Sequence, residues 1–263
     1  MKASIVIPIY KANLSSIEKL AFKRCLNVLN EYDINIITFR ELNITEHKCI
    51  ASEYNIDIKS VYFDKKYFNS IYMYNKLLMS IEFYRKFIVY EYILIYQLDA
   101  YVFNNELKYW CSLNYDYVGA PWFENFLSRQ ENKKLWKVGN GGFSLRKVSK
   151  FIEITNTNEV NYNFKFYYNY FSSYNISFIN KVLLTVLCIF KYRYKVNEDY
   201  FLVYVGGLLN DKIKLPNIYK AISFSFEKSP DYLFKLNNNK LPFGCHAFEK
   251  NEYECFWKKY INN

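Results

Sequence analysis

The sequence predicts an α/β fold, with a mostly parallel central sheet and helices on both faces. Three observations carry that expectation. A strand, a helix and a second strand follow one another between Ser4 and Phe39, the pattern of a βαβ unit with a right-handed crossover. A later run, Tyr92 to Leu98 (YILIYQL), is almost continuously apolar, as expected of a central strand covered on both faces. The chain has 263 residues, 51% of them hydrophobic and only seven glycines, so it can bury a substantial core and falls outside the disordered classes.

The elements follow in order. Ser4 to Tyr10 (SIVIPIY) reads as the first strand, with Pro8 near its end, where a missing backbone donor is tolerated. Ser15-x-x-Glu18 has the form of a capping box, and Ile17, Leu20, Ala21, Leu26 and Leu29 recur near helical spacing behind it. Ile34 to Phe39 (INIITF) is the second strand, and Ser60 to Phe63 a short third. Ser70 to Phe87 carries one helical stripe through Ile71, Tyr74, Leu77, Leu78, Ile81 and Tyr84. The central strand then ends at Gln97, Leu98 and Asp99. In open α/β sheets, ligands gather at the carboxyl ends of such strands.

The second half changes character. Asp116 to Trp122 (DYVGAPW) and Val138 to Arg146 (VGNGGFSLR) are short extended pieces broken by glycines and a proline. Residues 160–196 are aromatic, Asn-rich and helical toward Phe190, and Asn197 can cap a helix beginning NEDYF. With no internal repeat and no linker, residues 1–263 read as one domain with an elaborated second half.

The net charge of +10 comes without a basic run long enough to form a nucleic-acid arm or any recognisable nucleic-acid module, so no nucleic-acid partner is expected. The positive field suits a nucleotide diphosphate, an anionic membrane surface or an acidic glycan. The 28 tyrosines and 23 phenylalanines fit an aromatic-lined sugar site and an A/T-rich coding sequence equally well. Six cysteines, at 25, 49, 111, 188, 245 and 255, include no Cys-x-x-Cys pair. They match neither a zinc site nor a compact disulfide framework, and reduced thiols in a cytoplasm are the simplest reading. The opening MKASIVIPIYK is too short and too alternating for a signal peptide. No stretch is long enough for a membrane span. The nearest, Val182 to Phe190 (VLLTVLCIF), precedes a basic KYRYK; a helix buried in the core is expected there ahead of a monotopic membrane foot.

Four constellations carry candidate chemistry, each with an ordinary structural alternative. The first is the strand-end Asp99, which could hold a metal against a leaving diphosphate or simply start a turn. In the second, Val138 to Arg146, three glycines in four positions allow close backbone approach to a ligand, positive φ, or a plain hairpin turn. The third, Asn197-Glu198-Asp199, places two acids at a helix start, where the dipole favours them and keeps a carboxylate ionised whatever its role; one could act as general base. The fourth is Phe243 to Phe248 (FGCHAF), where His246 sits among aromatics as a buried or ligating imidazole. The other histidine, His47, is expected in a polar, solvent-exposed loop.

Taken in order, YILIYQLD, VGNGGFSLR, NEDYF and GCHAF resemble the GT-A class of nucleotide-sugar transferases, a Rossmann-type fold. In particular they resemble an uncharacterised bacterial glycosyltransferase-like family. DYVGAPW and FSFE, the latter at Phe224 to Glu227, fit the same pattern, and the resemblance runs from Ser4 to about Trp257. It implies that the Asp-x-Asp metal motif falls on Gln97-Leu98-Asp99, with Gln in place of the first acid and Asp99 retained as the direct ligand. It implies that His246 completes the metal site. Asn140, Gly141 and Gly142 would lie where donor and acceptor meet. Pro8, Tyr10 and Glu41, at the ends of the first two strands, would hold the nucleotide, and Asn75 and Lys76 would face the diphosphate. Asp199 would be the base of an inverting transfer, with Glu198 orienting acceptor or structure.

The implied partners are a nucleotide-sugar donor, a UDP-sugar first, and a glycan or lipid-linked acceptor. The implied cofactor is a divalent metal, Mn²⁺ ahead of Mg²⁺, because one imidazole among oxygens is softer than an all-oxygen site. Residues 1–100 would form the nucleotide-sugar half and 101–263 the half that binds acceptor and completes the metal site. The implied location is the cytoplasm, peripheral to the inner face of the membrane. A nucleotidyltransferase of similar fold, or a catalytically silent sugar- or membrane-binding protein, are the rival readings.

Overall fold

The computed structural model describes residues 2–124, 134–156, 164–172, 176–190, 197–200, 203, 213–250 and 253–261. The strands are β1 (Ala3–Pro8), β2 (Asp33–Thr38), β3 (Lys59–Tyr62), β4 (Tyr92–Tyr96), β5 (Ala100–Val102), β6 (Tyr117–Val118), β7 (Pro121–Phe123), β8 (Leu135–Val138), β9 (Phe143–Lys147), β10 (Ser225–Phe226) and β11 (Gly244–His246). The main sheet has the order β3-β2-β1-β4-β9-β6. Its first four strands are parallel, while β9 runs antiparallel to β4 and β6 antiparallel to β9.

The alternation of side chains along each strand divides the core into two layers. On one face Ile5, Ile7, Ile34, Ile36 and Leu94 pack with Phe22 and Leu26 of α1 (Ser16–Val28), Ile50 of α2 (Thr45–Ser52) and Trp110 of α5 (Leu107–Ser112). On the other, Val6, Ile37, Ile93 and Ile95 meet Leu77 and Leu78 of α3 (Ile71–Leu78), Phe83 and Tyr84 of α4 (Ile81–Arg85) and Phe151 of α6 (Val148–Asn156). Helices therefore cover both faces, as the continuous apolar run of β4 requires. The capping box forms as read: the Ser15 hydroxyl accepts from Glu18 N, and Glu18 Oε2 accepts from Ser15 N at 2.8 Å.

A small sheet, β10-β11-β5, stands at the carboxyl end of β4. There β11 lies antiparallel to β5, with His246 opposite Ala100 and Gly244 opposite Val102. Phe226, Cys245 and Trp257 form the core beneath it. A hairpin, β7-β8, makes a third sheet.

Four expectations from the sequence are corrected. The stripe from Ser70 to Phe87 is not one helix but two, α3 and α4, because the Ser80 hydroxyl accepts from Phe83 N and starts a new turn. His47 is fully buried, not exposed: it lies on α2 one turn before Ile50 and Ala51, facing Phe22 at 6.0 Å, and burial depresses its imidazole. VGNGGFSLR is not a hairpin, since β8 pairs with β7 whereas β9 pairs with β4. The apolar run at Val182 to Phe190 belongs to α8 (Phe178–Phe190), which follows α7 (Phe164–Ser172), and of its described side chains, Val182 to Leu187, only Thr185 is buried as a core position would be. Leu183 is 54% exposed and Leu184, Val186 and Leu187 are each more than a third exposed. Among the described residues no helix is long and apolar enough to cross a membrane. Cys188 and the basic KYRYK lie outside the residues whose side chains are described.

Candidate active site

The strand-end residues of β1 and β4, the β8–β9 turn, the helical segment α9 (Glu198–Tyr200) and the tip of β11 converge on a cavity of about 1620 Å³. Of the residues singled out in the sequence, Pro8, Tyr10, Asn75, Gln97, Asp99, Asn140, Gly141, Gly142, Glu198, Asp199 and His246 line it. Glu41 and Lys76 do not: Glu41 is exposed in the turn after β2, and the Lys76 ammonium lies over the Tyr72 ring at 4.7 Å.

Asp99 follows β4 by three residues, and β5 starts immediately after it. Because β11 pairs with β5 in the register given above, the His246 ring is delivered to that carboxylate, with Nε2 3.1 Å from Asp99 Oδ1 and 3.2 Å from Gln97 Oε1. The other carboxylate oxygen, Oδ2, accepts from Lys250 Nζ at 3.3 Å. Burial alone would raise the Asp99 carboxyl, but His246 and Lys250 outweigh it and hold the group down at about 2. The second imidazole nitrogen, Nδ1, has Glu227 Oε1 at 3.5 Å and Asn140 Nδ2 at 3.1 Å. Burial would depress the imidazole, yet the Asp99 and Glu227 carboxylates raise it to about 9. The Asn140 amide is oriented by its own oxygen, which accepts from Gly142 N and Phe143 N. Nδ1 thus faces an acceptor in Glu227 and a donor in Asn140, so the ring keeps a partner with or without that proton.

The glycine segment works by close approach. None of its glycines has positive φ; Asn140 takes the left-handed conformation instead, at φ 70°. A Cβ on Gly141 would sit 2.1 Å from Glu198 Oε1, and one on Gly142 would sit 2.0 Å from His246 Nε2. These two positions let the β8–β9 turn lie directly against both functional clusters.

Glu198 and Asp199 have separate environments. Glu198 is buried and paired with Arg146 of β9, whose Nη2 reaches Oε1 at 2.8 Å. Arg146 is itself fully buried and also donates to Tyr84 OH at 3.0 Å and Ser144 Oγ at 3.1 Å. The remaining oxygen of Glu198, Oε2, is buried with no hydrogen-bond partner among the described residues. Asp199 accepts from the backbone N–H of Tyr200 at 2.7 Å. Burial first, and the neighbouring Glu198 charge second, push its carboxyl up to about 7. The expectation that a helix dipole keeps this carboxylate ionised is thus corrected: the loss of water on burial, with the adjacent Glu198 charge, outweighs it.

Glu227, Trp122, Trp136 and Lys250 also line the cavity and were not singled out in the sequence. Glu227 closes the FSFE string, so an acid ending an apolar strand was the available signal. Trp122, in DYVGAPW, stacks near-parallel on Trp136 and Tyr200, each at 6.2 Å.

The donor set can be weighed against a divalent ion. Two ligands bound at about 2.1 Å on adjacent corners of a coordination shell lie about 3 Å apart. Asp99 Oδ1 and His246 Nε2 have that spacing, at 3.1 Å. A metal-bound imidazole ordinarily donates its other N–H to a carboxylate, and Glu227 stands on that side. The pair therefore fits an ion with two protein ligands and open positions. Among the described residues no group of three His, Cys, Asp or Glu side chains is arranged to hold one alone.

No curated protein matches the sequence. Solved structures do match the fold. Galactosyltransferase LgtC, solved with donor and acceptor sugar analogues, aligns over 92% of this chain and 86% of its own, with a TM-score of 0.50 and 14% identity. Mouse xyloside xylosyltransferase 1, in its apo form, aligns over 94% and 97%, with a TM-score of 0.52 and 11% identity. At such identities the likeness is one of fold, and the fold is GT-A-like. The family model that matches, over residues 57–246, is described as a protein of unknown function, DUF5672, and the chain belongs to that family.

Proposed function

We propose that the protein is a metal-dependent glycosyltransferase that moves a sugar from a nucleotide-sugar donor, a UDP-sugar first, to a hydroxyl of a glycan or lipid-linked acceptor. The observation that carries this reading is the presence of two distinct carboxylate systems in one cavity. Asp99 is held strongly acidic beside an imidazole, and Asp199 is buried and poised near neutrality. The first suits a diphosphate site and the second a proton acceptor.

In this reading Asp99 and His246 hold the divalent ion, with Glu227 fixing the imidazole from behind. A divalent ion held there would neutralise the charge of a leaving diphosphate, and an imidazole among oxygens would favour Mn²⁺ over Mg²⁺. Asp199 takes the acceptor hydroxyl proton as the new bond forms, in a single displacement with inversion. Glu198, anchored by Arg146, holds the structure around Asp199 and so positions the base toward the acceptor. The aromatic group of Trp122, Trp136 and Tyr200 supplies flat apolar surface for a sugar ring. Residues 1–100 supply the donor half of the cavity and 101–263 the acceptor half. The same reading places the protein in the cytoplasm, at the inner face of the membrane.

The test is release of free nucleoside diphosphate from a panel of nucleotide sugars with Mn²⁺, Mg²⁺ or chelator. Turnover should require metal, and His246→Ala and Asp99→Asn should each lose donor affinity or turnover in the metal-dependent assay. Pyrophosphate as the product would assign a nucleotidyltransferase instead. Full activity of both variants in chelator would remove the metal site.

A further inference from the structure

The exposed face of α8 has no role in the site just described. Ile179, Leu183, Val186 and Leu187 recur at i, i+4, i+7 and i+8, one stripe of a helix. They are 75%, 54%, 37% and 39% exposed, and Phe178 beside them is 68% exposed. On the opposite side Thr185 is fully buried, its hydroxyl donating to Lys181 O, and α7 anchors the pair of helices through Tyr167 and Phe171 in the core. A helix that turns its apolar stripe outward while burying a threonine presents an interaction surface on that outward side.

The charge of the segment identifies the medium. From Val160 to Asn197 the sequence holds five basic residues and no acidic one. The described part of the helix, Phe178–Phe190, is about 20 Å long and suited to lie in a bilayer surface. Ile176, two residues before α8, lines the cavity, so the stripe begins at the cavity's rim.

We propose that α8 is a membrane-docking helix, lying flat among the headgroups of an anionic bilayer and bringing the cavity's rim to the lipid surface. Its apolar stripe would enter the acyl boundary, and the net positive charge of the segment would favour an anionic surface. The docking itself is independent of any transfer activity. That the acceptor is lipid-linked, rather than a free glycan, follows only if the transferase reading holds.

The experiment is co-sedimentation of the full chain with phosphatidylcholine vesicles, with and without about a third phosphatidylglycerol. The comparison is the triple variant Ile179→Ser/Leu183→Ser/Leu187→Ser, with Lys181→Glu as a separate charge variant. The wild type should pellet with anionic vesicles, much less with neutral ones, and less as salt is raised. The triple variant should lose roughly tenfold or more of its vesicle affinity. It removes exposed side chains, so its circular dichroism and melting temperature should match the wild type; an unfolded triple variant would itself contradict the exposed placement of the stripe. Lys181→Glu should weaken anionic binding and leave neutral binding alone. The proposal is overturned if the wild type ignores both vesicles, or if the triple variant binds as well as the wild type. It is equally overturned if light scattering finds a dimer that the triple variant converts to monomer, because a second copy would then be the occupant. Vesicle binding needs no donor, so an absence of sugar transfer leaves this result readable.

Discussion

Replacing Asp199 by Asn should make the protein more stable and less active at once, and the size of the first effect follows from burial. An aspartate ordinarily ionises near 3.8, and here the value is about 7. Ionising it in the fold at or above neutral pH therefore costs about 4 kcal/mol relative to the unfolded chain. The sign is fixed by the direction of the shift. Below about pH 4 both states hold the proton and no cost exists. Between pH 4 and 7 the unfolded state releases its proton first and stability falls. Above pH 7 the full cost is present. Asn keeps the shape and never ionises, so Asp199→Asn should melt higher than wild type at pH 8, by up to roughly 15 °C for a chain of this length. The gap should close as pH falls toward 4. Turnover should move the other way. A base with a value of about 7 is only about one-tenth ionised at pH 6, so wild-type activity should rise about tenfold per pH step below 7 and level above it. The Asn variant should lose about 10² to 10⁴ in rate. Differential scanning fluorimetry across pH 4 to 8, beside steady-state assays, measures both. Equal melting temperatures at pH 8, or a variant that turns over normally, would refute the reasoning.

Two further outcomes follow from the same neighbourhood. Glu198→Gln should behave in the opposite way, because it strands the buried Arg146 cation: a loss of about 3–5 kcal/mol is expected and readable by thermal denaturation. A Gln variant as stable as wild type would show that the ion pair does not hold α9 in place. Gly142→Ala puts a methyl group where His246 Nε2 now lies, so it should reduce donor binding to the level of His246→Ala, checked by calorimetric titration. Wild-type affinity in the Gly142 variant would mean the imidazole is free to move aside without consequence.

The parts of the fold legible in the sequence are those where one physical demand dominates. The parallel strands could be read because burial on both faces leaves no polar positions in YILIY, and the first helix because Ser15 and Glu18 satisfy each other's backbone donors. Asp99 and His246 could be singled out because each is a chemically unusual residue at an element's end. What escaped depends on partners remote in sequence. Glu227 directly follows a strand of two residues whose place is set only by pairing with β11. Ser80 could be read as one more polar residue on a helix surface, until its hydroxyl is seen to start a new one. A continuous apolar run located α8 but carries no information about which side the core lies on. The ionisation of Asp199 escaped for the same reason, because depth of burial is a property of the assembled cavity and not of the motif NEDYF.

The antiparallel pairing of β11 with β5 has a consequence for when the site comes into being. All four parallel strands are complete by Tyr96, well before β9 and β6 finish the main sheet. Asp99 nevertheless has no imidazole until Gly244 to His246 has emerged and locked beside Ala100 to Val102. A slip of one residue in that pairing would turn His246 to the opposite side of the strand. The meeting of Asp99 with its imidazole therefore depends on a strand late in the chain, and a register slip there would leave the carboxylate without His246.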